Sequence, residues 1–539
     1  MANPKKTFMQ GALILICGNL LVKLIGAIYS VPLLNIIGET GYAYYQAAYQ
    51  IYALLFVIST AGLPVAISKM VSASCALGKY TEVRRIFSVA LSMFMVVGLS
   101  GFLFMYFTSD WIASRTNLDQ AAYSVRALAP AVFFVAIMAT YRGFFQGLQN
   151  MLPTALSEIT EALCKLCIGL GCAGLLIQMS MPSHIVAAGA ITGVTVGTFM
   201  SALVLTIIFI RSPERRAVYR AQDTSKERCR APGEILKQLI LYAVPITIGA
   251  AVMSLTNLID LGMVVNRLID VGFTKEEATF MYGAYGGMAQ KLFNLPASLI
   301  FTIGTSAIPV ISAAFATRDH KLTKSTIESA LRICAMLAIP AGMGLAVLSE
   351  PILSLLFFSK PDGVAVAAPL LSRLGLATTF VCLVSLTNAM LQAVGLVNVP
   401  VFTMICGGVV KFIGDYAFIA IPSINIAGAP MATNLCYATI MVLNLYFIAK
   451  RIGVMPNLVS VFVKPLIAAV CMAVVAVSSF WLFSGIVGEK IGVLAAIGVA
   501  GLTYLGVLAV IRGFLRQDVK LLPKGDKIAA FLEKRKLLG

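Results

Sequence analysis

Charge is what this sequence has least of. Only 12% of its 539 residues are Asp, Glu, Lys or Arg, against 59% hydrophobic, and the mean hydropathy is +0.91. A soluble chain of this length would need far more charge to cover its surface, so a soluble globular fold is excluded. Histidine is nearly missing, with His184 and His320 alone, which argues against a His-based metal site. No Gly-rich phosphate loop ends in Lys-Ser or Lys-Thr, so the chain has no ATPase signature of its own. Neither a Ser/His/Asp set nor paired carboxylates in a soluble segment suggest catalysis, and a non-enzyme is expected. The eleven cysteines fall mostly inside apolar runs and show no disulfide framework. Cys164-x-x-Cys167 has metal-like spacing, but no second pair accompanies it, and it reads as helix packing.

Apolar runs of about 20 residues recur along the chain, the length a helix needs to cross a bilayer. A β-barrel would show short alternating segments instead. The expected fold is all-α: a polytopic membrane protein with about fourteen transmembrane helices. They group as a six-helix lobe over residues 1–210, a cytoplasmic basic linker over 211–237 and a second six-helix lobe over 238–451. Two extra helices (452–512) and a basic cytoplasmic tail (513–539) follow. Lys5 and Lys6 precede a first run too long for a signal-peptide core, which reads as a retained span. Gly38-Glu39-Thr40-Gly41 reads as a short turn. Tyr42, Tyr44, Tyr45, Tyr49 and Tyr52 then open the second span and read as membrane-interface anchors. Pro296, Gly304 and Pro309 mark either a simple kink in the eighth span or a break beside a substrate path.

The net charge of +18 is unevenly placed. Arg211–Lys237, the longest polar segment, holds eight Lys or Arg against four acids. Lys69, Lys79, Arg84 and Arg85, then Arg318, Lys321 and Lys324, then Lys450, Arg451 and Lys464 fall in other even-numbered loops. The odd-numbered loops are poor in basic residues or balanced by acids. Basic loops stay inside, so both termini are expected in the cytoplasm, and no nucleic-acid partner is needed to explain the charge.

An internal repeat fits the same plan. Gly147-Leu-Gln-Asn-Met-Leu-Pro153 followed by Lys165 resembles Gly395-Leu-Val-Asn-Val-Pro400 followed by Lys411. The Leu63–Ser68 stretch resembles Ile308–Ser312. With an even number of spans in each lobe the repeats run parallel, as in transporters that rock one half against the other.

Lys23, Arg142, Lys165, Lys291 and Lys411 lie within spans, while Arg332, close to a helix start, can snorkel. A charge at mid-bilayer costs at least about 2.5–3.5 kcal/mol, so each should face a wet cavity or a partner. Glu161–Lys165 and Lys411–Asp415 are i,i+4 pairs that either neutralise themselves or lend their lysines to a cavity. Lys23, Lys291 and Arg142 have no such neighbour on their own helices. Asp260 and Glu158, with Glu161 and Asp415, are candidate charge partners or coupling-ion ligands. A wet cavity with excess cations suits an anionic substrate, phosphates above all. Transport driven by a monovalent-cation gradient or by membrane potential is the expectation, with no resident cofactor or metal.

Val22-Lys23-Leu-Ile-Gly26, Gly62-Leu-Pro-Val-Ala-Ile-Ser-Lys69 and Phe145-Gln-Gly147, within six plus six plus two spans, resemble a known family. It is the polysaccharide-export and stage V sporulation protein B branch of the multidrug/oligosaccharidyl-lipid/polysaccharide exporter superfamily, with MurJ-type lipid II flippases as relatives. The resemblance implies a two-lobed alternating-access fold and basic residues in a central cavity, Lys23 matching a basic position in span 1. It implies a lipid-linked (undecaprenyl-pyrophosphate) sugar as substrate, lipid II or a related precursor, and a groove for the lipid tail in the last two spans. A monomer among membrane lipids is expected. Tyr29-Ser30 stands where such flippases often have an Arg-Asp pair, which leaves the exact substrate open. The alternative is a cation-coupled multidrug antiporter of the same fold, although Lys23 would repel a cationic drug.

Overall fold

Backbone N–H and C=O groups have no water to bond in lipid, so an apolar stretch that crosses a membrane must coil into a helix. In the computed structural model, which describes residues 4–224, 228–298, 320–396, 398–452 and 459–513, the long apolar stretches are helices, with no strand among the described residues. Eleven of the described helices are long and apolar enough to cross a membrane. The end of the eighth span, with Gly304, Pro309 and the Ile308–Ser312 half of one repeat, and the basic tail from residue 514 lie outside the described residues. The chain divides into two compact units, Met1–Asn266 and Arg267–Gly539.

The first unit starts with α1 (Pro4–Thr60), which holds two spans joined at Gly38, where φ is 72° and ψ 176°. That left-handed backbone suits a residue without Cβ. The four-residue turn expected there reduces to this single residue. Then come α2 (Leu63–Ala76), α3 (Tyr80–Phe107), α4 (Ser109–Arg115), α5 (Ala121–Gly147), α6 (Leu152–Gln178), α7 (Ser183–Arg211), α8 (Pro213–Arg220) and α9 (Pro232–Asp270). α5 is the centre of the unit and packs on α1, α2, α3 and α7, while α6 packs on α1 and α7.

The α6–α7 contact rests on small residues, as helix pairs in lipid require. Gly193 and Gly197 are spaced GxxxG on α7. A Cβ on Gly193 would lie 2.5 Å from the Gly169 nitrogen, and one on Gly197 would lie 2.8 Å from the Glu161 carbonyl oxygen. Both obstacles are backbone, which cannot swing aside. Gly193→Val is therefore expected to destabilise the unit by roughly 1–3 kcal/mol through overpacking. Gly171→Val, where a Cβ meets nothing within 4 Å, should be near neutral. Thermal unfolding in detergent separates them, and equal melting temperatures would contradict the packing argument.

The basic linker is stitched onto the α2–α3 turn. Thr224 N donates to Gly78 O (3.0 Å), Thr81 N to Asp223 Oδ1 (2.8 Å) and Arg84 Nη1 to Tyr219 O (2.8 Å). The Thr81 bond holds the exposed Asp223 carboxyl below its ordinary range. Glu82, fully buried, accepts from Ser74 Oγ (2.9 Å) and Arg230 N (3.0 Å). The two basic loops thus share one end of the unit, as their charge pattern requires.

The second unit contains α10 (Lys275–Ala284), a π-helical turn (Tyr285–Ala289), α11 (290–298), α12 (His320–Val347), α13 (Ser349–Leu356), α14 (Pro361–Ala393), α15 (Asn398–Ile419), α16 (Gly428–Ile452), α17 (Lys464–Val487) and α18 (Glu489–Val510). α14 packs on α12 and α16, and α17 packs on α18 and α12. Tyr504 donates its hydroxyl to Met336 O (2.8 Å), tying α18 to α12. The charge-free faces of the last two spans are therefore partly covered by packing, with Ala469, Ala476, Ala496 and Leu508 buried.

Candidate functional site

In the second half of α1, Tyr42, Tyr45, Tyr49, Tyr52 and Phe56 recur at spacings of three and four and so share one helix face. Their rings form a ladder with centroids 5.6, 6.1, 5.9 and 5.7 Å apart. Tyr42, Tyr45 and Tyr52 are buried in the unit. This corrects the reading of the cluster as interface anchors: composition is the same in both cases, but this face turns inward. Tyr29, before the Gly38 break, lies against Tyr45 with a centroid distance of 6.4 Å.

Lys165 on α6 reaches this ladder. Its Nζ lies 5.0 Å from the Tyr29 ring centroid and 4.7 Å from that of Tyr49. Two ring faces around one ammonium favour it electrostatically. The i,i+4 pair with Glu161 is not formed. Glu161 Oε2 instead meets Arg142 Nη2 of α5 at 3.4 Å. Arg142 also donates through Nε to Ser157 Oγ (2.9 Å) and is almost fully buried. Arg142 therefore finds on a neighbouring helix the acid that its own helix lacks. Glu158, one residue beyond Ser157, is half-buried, and its Oε2 has no hydrogen-bond partner among the described residues. Lys23, Arg142, Lys165, Glu158, Glu161 and Asp260 all belong to the first unit. Lys23 is half-buried in α1 and Asp260 buried in α9.

The second unit treats its cations differently. Lys411 donates to Asp415 Oδ1 (3.0 Å) and Ala429 O (3.3 Å), with 2% and 0% of the two side chains exposed. The self-neutralising alternative therefore holds for this pair, and Lys411 leaves the set of cations that face open space. Lys291 is half-buried just after the π-helical turn. The repeat gains a sharper register. Gln149 (φ 61°) and Gly395 (φ 83°) occupy the same left-handed position. The next amide in each case bonds five residues back, Asn150 N to Phe145 O and Leu396 N to Leu391 O. Gly395 thus matches Gln149 rather than Gly147, and Lys165 and Lys411 each lie sixteen residues further on. One position is used twice, once in an aromatic cage and once in a buried ion pair.

Sequence reasoning set aside Arg332 as able to snorkel. It is buried deep in α12, at the end of a buried polar stripe with Thr323, Thr326 and Ser329. Their spacing of three was the available signal. A second network was missed, in which Asn444 accepts from Thr403 Oγ1 (2.7 Å) and donates to Thr387 Oγ1 (3.0 Å) and Asn388 Oδ1 (2.8 Å). It ties α14, α15 and α16 together.

A family model for polysaccharide biosynthesis proteins matches residues 8–315, and one for MatE proteins matches 283–417. Among curated proteins of Bacillus subtilis, the uncharacterised membrane protein YabM is 26% identical over 98% of this chain and 97% of its own. The lipid II flippase MurJ is 26% identical over 83% of each chain, and stage V sporulation protein B is 23% identical over 96% and 98%. Among solved structures, an inward-facing MATE transporter of the MOP superfamily overlays with a TM-score of 0.68, at 15% identity over 81% of this chain and 94% of that one. An inward closed lipid II flippase MurJ overlays with a TM-score of 0.64, at 15% identity over 93% and 98%. With more than half of its length matched by the first family model, this multi-pass membrane protein belongs to the polysaccharide biosynthesis protein family.

Proposed function

We propose that the protein is a flippase, not an enzyme, that carries a lipid-linked sugar precursor with a pyrophosphate group across the bacterial cytoplasmic membrane by alternating access. Lipid II or a related undecaprenyl-linked precursor fits the chemistry. The observation that carries this reading is Lys165, an ammonium held on two tyrosine faces with no carboxylate in ion-pair distance among the described residues. A cation presented in this way is kept for an anionic group. Lys23, Arg142 and Lys291 complete the proposed set. The relative named as a lipid II flippase supports the substrate class. Depletion of the protein should make one undecaprenyl-linked sugar accumulate in the inner leaflet. Unchanged pools of all such lipids would refute the reading.

A second reading, a cation-coupled drug antiporter, is favoured by the MatE match and by the unpartnered Glu158 oxygen. In the flippase reading the same carboxylate, with Asp260, is the proposed coupling-ion or charge-balancing group.

The proposed orientation puts both termini and the linker in the cytoplasm. In a variant without native cysteines, Glu276→Cys should react with an impermeant thiol reagent in intact cells and Gln222→Cys should not. Both side chains are exposed and neither is a cap residue. The reverse labelling would overturn the orientation.

A further inference from the structure

The second unit holds a cavity of about 470 Å³ that none of the cations discussed above lines. Its position follows from a tight turn. Gly488 (φ 84°) joins α17 to α18, and a Cβ on Gly492 would come within 2.9 Å of the Ser484 nitrogen. The start of α18 therefore lies directly on the end of α17. This brings Trp481 and Ser484 beside Glu489 and Lys490, and the cavity is closed by Glu350 of the short α13 and by Phe358 in the turn after it. The volume is in the range of small-ligand sites, about 300–1,000 Å³.

The charges are arranged for a dipolar guest. Lys490 Nζ sits 4.9 Å from the Phe358 ring centroid, held by an aromatic face and, among the described residues, by no carboxylate. Neither Glu350 nor Glu489 is in an ion pair among the described residues. Two carboxylates and one ammonium thus remain to be matched, a net charge of −1 that disfavours a purely anionic guest. The surroundings say where the guest comes from. Trp481, Leu482, Ile486, Ile491 and Leu494 are all more than half exposed on the adjoining helix surfaces. On membrane-crossing helices such side chains face lipid, and a Trp at a helix end marks the headgroup level.

We propose that this cavity binds the headgroup of a membrane phospholipid carrying both a phosphate and a primary ammonium. The ammonium lies between Glu350 and Glu489, and Lys490 takes the phosphate, with the Ser484 hydroxyl as a further polar contact. Two carboxylates accept N–H bonds from a primary ammonium, which a trimethylated headgroup does not have. The site is independent of the transport reading.

The test uses the purified full-length protein in detergent and counts retained lipids by native mass spectrometry. Phosphatidylethanolamine, phosphatidylglycerol and phosphatidylcholine are offered one at a time. One phosphatidylethanolamine should be retained in preference to the other two by about fivefold, the ratio that one modest charge pair supplies. Glu350→Gln/Glu489→Gln should abolish the preference. Lys490→Gln should weaken phosphatidylethanolamine retention with little effect on the melting temperature. Equal retention of the three lipids by the unaltered protein would overturn the proposal. So would a preference that survives in the folded double variant. If the double variant does not fold, Glu350→Gln alone, at an exposed position, decides by the same criterion.

Discussion

Replacing Lys165 by Ala should lower transport of a pyrophosphate-linked sugar by about ten- to a hundredfold while the protein still inserts and folds. The magnitude is that of one hydrogen bond to a charged group, roughly 1.5–3 kcal/mol, at tenfold per 1.4 kcal/mol. Lys165→Arg keeps the charge and should retain part of the activity. Tyr49→Phe keeps the ring face under the ammonium and should be close to unchanged. Tyr49→Leu removes one wall of the cage and should cost less than Lys165→Ala, since a cation–π contact is worth about 0.5–2 kcal/mol. Uptake by proteoliposomes checks the series. Full activity in Lys165→Ala would remove the main support for an anion-binding lysine.

A larger effect on stability is expected at Asp415. Asp415→Ala leaves the Lys411 ammonium, with 2% of its side chain exposed, without its acid. Breaking a buried pair from one side costs about 3–5 kcal/mol. Replacing both partners by apolar residues of similar size, Lys411→Met with Asp415→Leu, should be near neutral, because both charges then leave the interior together. Thermal unfolding in detergent measures both. A single variant as stable as the parent, or a double variant as damaged as the single, would contradict the structural role assigned to this pair.

Those two lysines show what could be read from the chain and what could not. The spans and the side on which each basic loop lies depend on composition and length, and the linker docked on the α2–α3 turn agrees with the charge pattern. Ion-pair choice depends on neighbouring helices. Glu161–Lys165 and Lys411–Asp415 have the same spacing in the sequence, yet only the second pair forms. Arg142 of α5 takes Glu161, and the tyrosine ladder offers Lys165 another partner. Nothing on α6 alone encodes that outcome. The ladder was misread because interface and buried tyrosines look alike until the face of α1 is known. Arg332 was set aside on position alone, whereas the buried Thr and Ser at spacings of three ahead of it mark an inward face. The repeat was visible but two residues out of register, because only backbone geometry shows that Gln149 does what Gly395 does.

The most direct test of the central claim is transport in proteoliposomes with a fluorescent undecaprenyl-pyrophosphate-linked sugar in one leaflet and an organic cation in the lumen. The flippase account predicts that the lipid-linked sugar changes leaflet in the presence of the protein, that Lys165→Ala abolishes most of this movement, and that the cation stays where it is. Movement of the cation against a monovalent-ion gradient, with the lipid-linked sugar left in its original leaflet, would contradict it.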